Sequence, residues 1–515
     1  MLLPTRFLIL VTTIFSLTFF SLAGIEKKLP DAMLKIMQQA KYEHASWGLY
    51  VKDAETGKVI YELDSDKMFL PASTTKLFSV AALLHAYGDD YRYKTPVYAI
   101  GQIENGLLKG DLILVAQGDL TMGGRQEGPD KIAFTKLDHI IANEVPGVIL
   151  TKQDPLYGLN ELAKQIHNKG IKEIDGNVFI DDRLFEIENK RGMTLSPMML
   201  NENLIDLVIN PSEVGKAATL TWRPQVQGYI VANQVSTVAK DKPLEIQITS
   251  DNEGRKIIVS GTIPIDQKDV VRTFSIKDPN HFARSAFIQA LRSRGISVNI
   301  DEKKNSQIYP KATFSDIEPI AVWISPPLSE YAKLILKVSH NLGADLIPLL
   351  LAVRQGKTTF AEGMQELGNF VINDVKVSRN AFVFIDGAGG DENRLTPKAE
   401  VQLLEYIKKL PSAQFKNFYN ALPILGVDGS LEDFGKNTGA VGKVRAKTGT
   451  GVSFNLAANQ FFLTTQTLAG YIEGKNGRLI EFMVAVNNGA MPTINDIFPI
   501  FEDLSAITGV IYNQE

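Results

Sequence analysis

The chain has 515 residues, more than one hydrophobic core usually supports, so two or three domains are expected. Its formal charge of −4 gives no reason to expect nucleic acid as a partner. The absence of cysteine excludes disulfides, thiolate metal sites and a cysteine nucleophile, and the six histidines form no ligand-spaced motif that would indicate zinc.

The N-terminal segment is typical of a secretory signal peptide. Arg6 precedes an uncharged apolar stretch, and small residues around Ala23 offer a cleavage site. We therefore expect residues 1–23 to be a signal peptide and the mature chain to work in the periplasm. The alternative is a retained membrane anchor, because about 17 apolar residues approach the length that spans a bilayer. Peripheral membrane association is therefore a further expectation.

Local patterns predict the elements of the first third of the chain. Residues 46–63 alternate in the manner of two strands joined by a turn. The run 76–88 has apolar residues at helical spacing and ends on Gly88, a typical helix stop. Strands are expected again within 94–117, and 159–182 indicates a helix, a turn and a strand.

The tract 203–275 is the richest in strand-forming residues and is punctuated by Gly, Pro and Asp. It predicts a small β-module inserted in the chain. Helices are predicted again at 281–295 and through 327–410. The remaining predictions are strands at 442–450, 467–473 and 479–488 and a last helix near 496–507.

Ser73 and Lys76 form the first candidate pair for chemistry. They lie in PASTTK, 71–76, at the start of a predicted helix, where residues three apart share a face. The positive end of the helix dipole favours negative charge on the Ser73 oxygen, and burial would lower the pKa of Lys76. Such a pair is a nucleophile with its base. The alternative is helix capping by Ser or Thr beside a surface lysine.

A second motif, Lys447-Thr448-Gly449, lies in a predicted strand. Strand alternation places Lys447 and Gly449 on one face and Thr448 on the other. The functional interpretation is a cationic edge strand with a glycine where a ligand approaches the backbone closely. The alternative is a polar strand end before a turn.

The third motif is S-x-N, which occurs five times, at Ser250, Ser297, Ser339, Ser378 and Ser453. The literal Ser-Asp-Asn at 250–252 is interpreted as a hairpin turn between two strands. Ser339-His340-Asn341 falls between two helical tracts, where short polar side chains can project into a cleft. We therefore take Ser339 and Asn341 as candidates, and we expect His340 to be a spectator that lines the site.

In chain order the three motifs resemble the active-site trio of penicillin-recognising serine enzymes. The long insertion between Ser73 and Ser339 resembles the D-alanyl-D-alanine carboxypeptidase/endopeptidase family of class C penicillin-binding proteins, peptidase family S13. Three other stretches also fit that family, at 110–120, 176–185 and 422–431.

The resemblance implies an α+β fold. Its core would be a penicillin-binding, serine β-lactamase-like transpeptidase domain, an antiparallel sheet flanked by helices, with inserted β-rich domains. On this basis the peptidase domain is expected at 24–95 and 316–515. Inserted domain II is expected at 96–195 and 273–315, and β-rich domain III at 196–272.

The resemblance also implies a serine-type D-Ala-D-Ala carboxypeptidase that acts on peptidoglycan stem peptides and is inhibited covalently by β-lactams, without a metal or an organic cofactor. Ser73 would form the acyl-enzyme, Lys76 would take its proton, Ser339 would relay a proton to the leaving amine, and Lys447 would give electrostatic help. Backbone N–H groups of Ser73 and Thr450 would form the oxyanion hole. The implied substrate-binding residues are Asn341, Thr448, Gly449, Thr450, Asp181 and Phe185.

Two stretches depart from the family pattern. Residues 386–392, DGAGGDE, replace a DGSGLSR-type stretch and lack its Arg, which in relatives helps bind the diaminopimelate side chain. The segment 453–466 makes a longer connection than usual and is expected to gate the cleft or to form another contact. Two alternative functions stay open: a serine β-lactamase or esterase with the same trio, and a catalytically silent peptidoglycan-binding protein.

Overall fold

The computed structural model describes residues 28–299, 309, 314 and 316–515. The predicted signal peptide, 1–23, lies outside this part of the chain. Among the helices described, none combines the length and the apolar character that a membrane span requires.

The described residues form ten α-helices and 21 β-strands. The helices are α1 (Asp31–Met37), α2 (Thr75–Tyr87), α3 (Tyr157–Asn168), α4 (Pro279–Ser293), α5 (Leu328–Lys337), α6 (Asn341–Arg354), α7 (Phe360–Asn373), α8 (Pro397–Lys408), α9 (Ser412–Ala421) and α10 (Ile497–Gln514). The strands before the S-x-N segment are β1 (Ser46–Asp53), β2 (Val59–Leu63), β3 (Lys94–Glu104), β4 (Leu107–Val115), β5 (Glu173–Asp175), β6 (Val178–Asp181), β7 (Glu188–Lys190), β8 (Met193–Leu195), β9 (Leu204–Asn210), β10 (Thr219–Arg223), β11 (Ile230–Val238), β12 (Glu245–Ser250), β13 (Lys256–Pro264), β14 (Val270–Ser275), β15 (Ser297–Val298) and β16 (Ala321–Ile324). Those after it are β17 (Phe382–Val383), β18 (Arg394–Leu395), β19 (Val444–Asn455), β20 (Gln460–Glu473) and β21 (Leu479–Ala490).

A five-stranded antiparallel sheet brings the two ends of the chain together in the order β19-β20-β21-β1-β2. Helix α10 packs on β20, and α8 packs on β1, β20 and β21. Because helices cover both faces, the central residues of β20 and β21 are buried without alternation and form near-continuous apolar runs. Strand β19 stands at the edge of this sheet, as the sequence predicts.

Helix α2 lies inside a helical layer and contacts α5, α6, α7 and α8. Its residues from Thr75 to Leu84 are all buried, which explains why the segment is apolar on every side rather than amphipathic. Gly88 ends the helix with a φ of 85°, a left-handed conformation that favours glycine. The predicted helix and its stop are confirmed.

The tract between α2 and α5 carries most of the remaining strands. Strands β15-β5-β4-β3-β16 form a sheet in that order, with β6 also paired to β4, while β10-β9-β14 and β11-β13-β12 form three-stranded sheets. The Ser-Asp-Asn at 250–252 is the turn of the antiparallel β12–β13 hairpin, as predicted. The α+β character is confirmed, whereas the domain boundaries stay a prediction.

The segment 453–466 extends the β19–β20 hairpin beyond the sheet. Strand β19 continues to Asn455, β20 begins at Gln460, and the register shifts after Gly451. At the tip Leu456 is 87% exposed. The longer connection is therefore a protruding hairpin, and its part in gating the cleft stays a prediction.

Candidate active site

Ser73 sits on a short 3₁₀ turn, 72–74, that leads directly into α2. In a 3₁₀ turn residues three apart are nearly eclipsed, and the Lys76 Nζ atom lies 2.7 Å from Ser73 Oγ. Thr74, at the N-cap position, makes no side-chain cap bond and donates its hydroxyl to the Pro71 carbonyl instead. The capping interpretation of PASTTK is therefore wrong, and the structure brings Ser73 and Lys76 into the contact that a nucleophile and its base would need.

The contacts of Lys76 suit a neutral amine. Its Nζ lies 2.8 Å from Asn341 Oδ1 and 2.7 Å from the carbonyl oxygen of Ala388, two atoms that only accept hydrogen bonds. A neutral amine has two N–H bonds and one lone pair. When both N–H groups donate to these two acceptors, the lone pair faces the hydroxyl of Ser73, the one neighbour here that can donate.

Burial lowers the pKa of Lys76 to about 7, since the side chain is fully buried and its ammonium form loses hydration. Nearby charges act in both directions. The carboxylates of Asp345 and Asp386 raise this pKa, while the Arg191 guanidinium lowers it. Lys76 is therefore poised to exchange a proton near neutral pH, as a general base requires.

The S-x-N segment of the site, Ser339-His340-Asn341, links α5 to α6 and places Ser339 opposite Lys447 of β19. Ser339 has a φ of 60°, which turns the chain sharply between the helices. Lys447 Nζ donates to Ser339 Oγ at 2.9 Å and to the Thr448 carbonyl at 2.7 Å. Burial, with the charge of Lys76 second, holds the pKa of Lys447 well below its usual range. A positive charge on Lys76 therefore disfavours a positive charge on Lys447 in this buried site.

Strand β19 presents its residues as alternation predicts. Lys447 faces Ser339, while Thr448 faces away and its Oγ1 lies 2.9 Å from Ser430 Oγ. Sequence reasoning did not select Ser430, although it lies in the 422–431 stretch noted for its resemblance. The contact pairs two hydroxyls beside the predicted carboxylate-binding position.

Gly449 is required by packing within the protein itself. A Cβ atom there would lie 2.2 Å from Thr467 Oγ1, 2.3 Å from the Pro71 carbonyl oxygen and 3.1 Å from the Ser73 nitrogen. The glycine therefore lets the strand approach the backbone of Ser73, and the predicted close approach of a ligand stays a prediction. The next residue, Thr450, donates its hydroxyl to Gln466 Oε1 at 3.0 Å.

The altered stretch 386–392 forms one wall of the site. Asp386 Oδ1 accepts the backbone N–H groups of residues 388, 389 and 390 at 2.7–3.1 Å, which aims the Ala388 carbonyl at Lys76. Gly389 has a φ of 100°, and a Cβ there would lie 1.8 Å from the Ala72 carbonyl oxygen. Ala388 acts through its backbone, so no side-chain motif could have identified it.

His340 does not line the cleft, contrary to expectation. Its ring is fully buried; Nδ1 accepts the Gly343 N–H at 2.9 Å, and Nε2 lies 2.9 Å from Glu202 Oε2. Because Nδ1 accepts, Nε2 carries the proton and donates to the carboxylate. His340 thus anchors the S-x-N segment to the inserted tract from behind.

Glu202 belongs to a buried ionic cluster in which, among the residues that the structure describes, three side chains lie close enough to share a metal ion. Asp138, His139 and Glu202 hold ligand atoms within 4.8 Å of one another. The protein's own cations already use them, because Arg125 pairs with both carboxylates. Burial lowers the pKa of His139, but Asp206 and Glu202 outweigh it and raise that pKa to about 10. The donor set is therefore neutralised without a metal.

The contacts described for Asp181 and Phe185 involve neither Ser73 nor Lys76. Asp181 ends β6 and its carboxylate pairs with Arg183, whose Nε and Nη2 donate at 2.7 and 2.6 Å. Phe185 is 3% exposed and packs in the large core that also contains α2. Their role in substrate binding stays a prediction.

The choice of Ser339 over Ser250 can be tested by two alanine variants. Ser339→Ala removes the hydroxyl that accepts from Lys447, so we expect covalent penicillin labelling to slow by about 10²-fold or more, the usual contribution of a proton-transfer group. Ser250→Ala, at the exposed hairpin turn, is the matched control and should label at the wild-type rate. A slower reaction in Ser250→Ala would contradict the assignment.

The chain is similar to known proteins over most of its length. The model of a family described as "D-Ala-D-Ala carboxypeptidase 3 (S13) family" matches residues 29–499. A D-alanyl-D-alanine carboxypeptidase of Actinomadura sp. is 25% identical over 485 residues, 88% of this chain and 80% of that protein. D-alanyl-D-alanine carboxypeptidase DacB of Haemophilus influenzae is 24% identical over 505 residues, 93% of this chain and 91% of that protein.

Solved structures show the same fold. The crystal structure of penicillin binding protein 4 from Haemophilus influenzae superposes with a TM-score of 0.70 at 20% identity, covering 94% of this chain and 98% of that one. A structure of the same protein complexed with a β-lactam gives a TM-score of 0.69 at 20% identity, with 93% and 99% covered. The predicted penicillin-binding fold class is confirmed.

Proposed function

Because this chain belongs to the D-Ala-D-Ala carboxypeptidase 3 (S13) family, we propose that it hydrolyses the terminal D-Ala-D-Ala bond of peptidoglycan stem peptides through an acyl-enzyme on Ser73. One observation carries the proposal. The fully buried Lys76 Nζ lies within 2.8 Å of the Ser73 hydroxyl and of two pure acceptors, Asn341 Oδ1 and the Ala388 carbonyl, so the neutral amine can give its two hydrogens to these acceptors and keep its lone pair for the hydroxyl. That arrangement is a base already in place for its nucleophile.

The proposed acylation uses these groups in sequence. Ser73 Oγ attacks the carbonyl carbon of the penultimate D-Ala while its proton passes to Lys76 Nζ. The N–H groups of Ser73 and Thr450 hold the oxyanion, a contribution on the order of 3 kcal/mol per donor in other acyl-transfer enzymes. The C–N bond then breaks, and the leaving amine takes a proton through the Ser339 hydroxyl, which receives one in turn from Lys76.

Hydrolysis completes the cycle with the same groups. Water gives its proton to Lys76, attacks the ester carbon, and the C–O bond to Ser73 breaks with return of the proton to Oγ. In a β-lactam the leaving nitrogen stays tethered to the acyl group, so it obstructs this water and the adduct persists. Covalent inhibition by β-lactams is therefore part of the proposal.

Substrate binding is assigned to the strand and helix ends around Ser73. Thr448, paired with Ser430, would meet the terminal carboxylate beside the Lys447 charge. Asn341 would hold the peptide as well as Lys76, and Gly449 and Thr450 would present the edge of β19 to it. Asp181 and Phe185 complete the proposed set, on the side of the stem-peptide side chain.

The proposed location is the periplasm, which the protein would reach after export directed by its N-terminal segment. Peptidoglycan lies outside the cytoplasmic membrane, so a hydrolase of its stem peptides must be exported. Endopeptidase action on cross-links uses the same bond chemistry and belongs to the proposal, as does peripheral membrane association.

The test combines product analysis with adduct mapping. Incubation with a synthetic pentapeptide that ends in D-Ala-D-Ala should release one equivalent of D-Ala, and prior benzylpenicillin should block the release. Mass spectrometry should place the penicilloyl group on the peptide that contains Ser73. Rapid penicillin turnover without a lasting adduct would favour the β-lactamase reading. Binding of peptidoglycan with no D-Ala release would favour the silent binding protein.

A further inference from the structure

Arg191 reaches the active site from a separate hairpin of the inserted tract. Strands β7 and β8 are joined by two residues, Arg191 and Gly192, with φ values of 55° and 74°. Such a two-residue turn favours Asn or Gly, and a left-handed conformation is uncommon for a long side chain. Arg191 therefore occupies a backbone conformation that is unfavourable for its residue type, and its guanidinium makes contacts that offset this cost.

The guanidinium bridges two carboxylates. Its Nη2 donates to Asp386 Oδ2 at 2.8 Å, and its Nε donates to Asp345 Oδ2 at 3.2 Å. The Asp345 side chain is only 2% exposed, and its other oxygen, Oδ1, is buried without a hydrogen-bond partner. Arg191 thus supplies the charge that this buried carboxylate needs.

Each of the two carboxylates is linked to Lys76 in its own way. Asp345 lies one turn after Asn341 on α6, and its charge acts directly on Lys76. Asp386 acts on Lys76 by its charge as well, and it holds the turn that aims the Ala388 carbonyl at the same amine. The Arg191 side chain therefore contacts both carboxylates that act on the proposed base.

We propose that Arg191 is a positioning residue that neutralises Asp345 and Asp386 and thereby keeps Lys76 in its proton-accepting form. The charged groups around Lys76 are Asp345 on α6, Asp386 on its loop, Arg191 on the hairpin and Lys447 on β19. Burial raises the pKa of Asp345 to about 6 and Arg191 opposes that rise, so without Arg191 the charge of Asp386 and the ionised fraction of Asp345 would face the amine with less compensation and favour its ammonium form. The proposal rests on the acylation mechanism above.

The pH dependence of acylation tests this role. In the wild type we expect the rate of fluorescent penicillin labelling to rise through about pH 7 as Lys76 loses its proton. Arg191→Gln should move this midpoint upward by about one unit, the order of effect expected when a neighbouring charge is lost. Labelling would then be about tenfold slower than wild type at pH 6 and within about twofold at pH 9.

Three further variants separate charge balance from folding. Arg191→Lys keeps the charge and should return the midpoint most of the way to wild type. The double variant Arg191→Gln/Asp345→Asn removes one charge of each sign and should restore it too. Lys190→Gln is the matched control: it removes a cation from the same hairpin, one that lies 3.9 Å over the Phe360 ring, and should leave the midpoint unchanged.

A readout without turnover distinguishes this proposal from the proposed function. The ¹³Cε signal of Lys76, assigned by its loss in Lys76→Met, should titrate about one unit higher in Arg191→Gln than in the wild type. If penicillin failed to label the wild-type protein, the acylation mechanism alone would be refuted. The role of Arg191 would still be testable, because the titration measures the proton on Lys76 directly. A Lys76 titration that is unchanged in Arg191→Gln, or shifted equally in Lys190→Gln, would overturn the role of Arg191.

Discussion

Replacing Ser73 with alanine is expected to abolish covalent penicillin labelling and to lower D-Ala release by more than about 10⁴-fold. The reason is that no other hydroxyl can substitute. Lys76 directs its remaining hydrogen-bonding capacity at Ser73 Oγ, and Ser339 is held by Lys447. Loss of an attacking nucleophile costs up to about 10⁶-fold in serine hydrolases, because the acyl-enzyme route disappears entirely.

Gel fluorescence with a labelled penicillin and a D-Ala release assay measure this effect. Ser453→Ala is the matched control, since Ser453 is an exposed serine of another S-x-N match on β19. It should label and turn over as the wild type does. Equal melting temperatures would show that Ser73→Ala is folded, and persistent labelling of that variant would refute the site assignment.

Replacing Lys76 with methionine is the second large effect. We expect the rate constant of acylation to fall by about 10²–10⁴-fold, the usual range for a general base, and to lose its dependence on pH near 7. Methionine keeps the unbranched, apolar shape of the buried stem but has no basic nitrogen. Time courses of fluorescent penicillin incorporation between pH 5 and pH 9 measure both changes.

Lys76→Arg separates the base from the charge. Arginine keeps a cation at this position but stays protonated throughout this pH range, so it cannot accept the Ser73 proton. We expect it to be as slow as Lys76→Met. If Lys76→Arg retained more than about half of the wild-type rate, the residue would act as a fixed positive charge, and the neutral-amine mechanism would be wrong.

The parts of the site that could be predicted from sequence are those that local geometry sets. Ser73 and Lys76 meet because residues three apart share a face at a helix start, and Lys447 and Thr448 diverge because strands alternate. The neighbouring sequence also distinguished Ser339 from Ser250, since Ser339 lies between two helices and Ser250 lies at a hairpin turn. Each inference needed only a few consecutive residues.

The parts that could not be predicted act through backbone atoms or through distant segments. Ala388 contributes a carbonyl, which every residue has, so its identity carries no signal. Asp345 could have been suspected, because it follows Asn341 by one helical turn. Arg191 and Glu202 could not, since only the folding of the inserted tract brings them to Asp386 and His340.

The sequence by itself predicted Ser73 as the nucleophile, Lys76 as its partner, the strand of Lys447 and the order of the motifs, because these depend on contacts within one helical turn or along one strand. Only the tertiary structure decided that the pKa of Lys76 falls toward neutrality. A pKa depends on burial and on charges in space, and here those charges come from α6, the 386–390 turn and the β7–β8 hairpin, which are far apart in the chain.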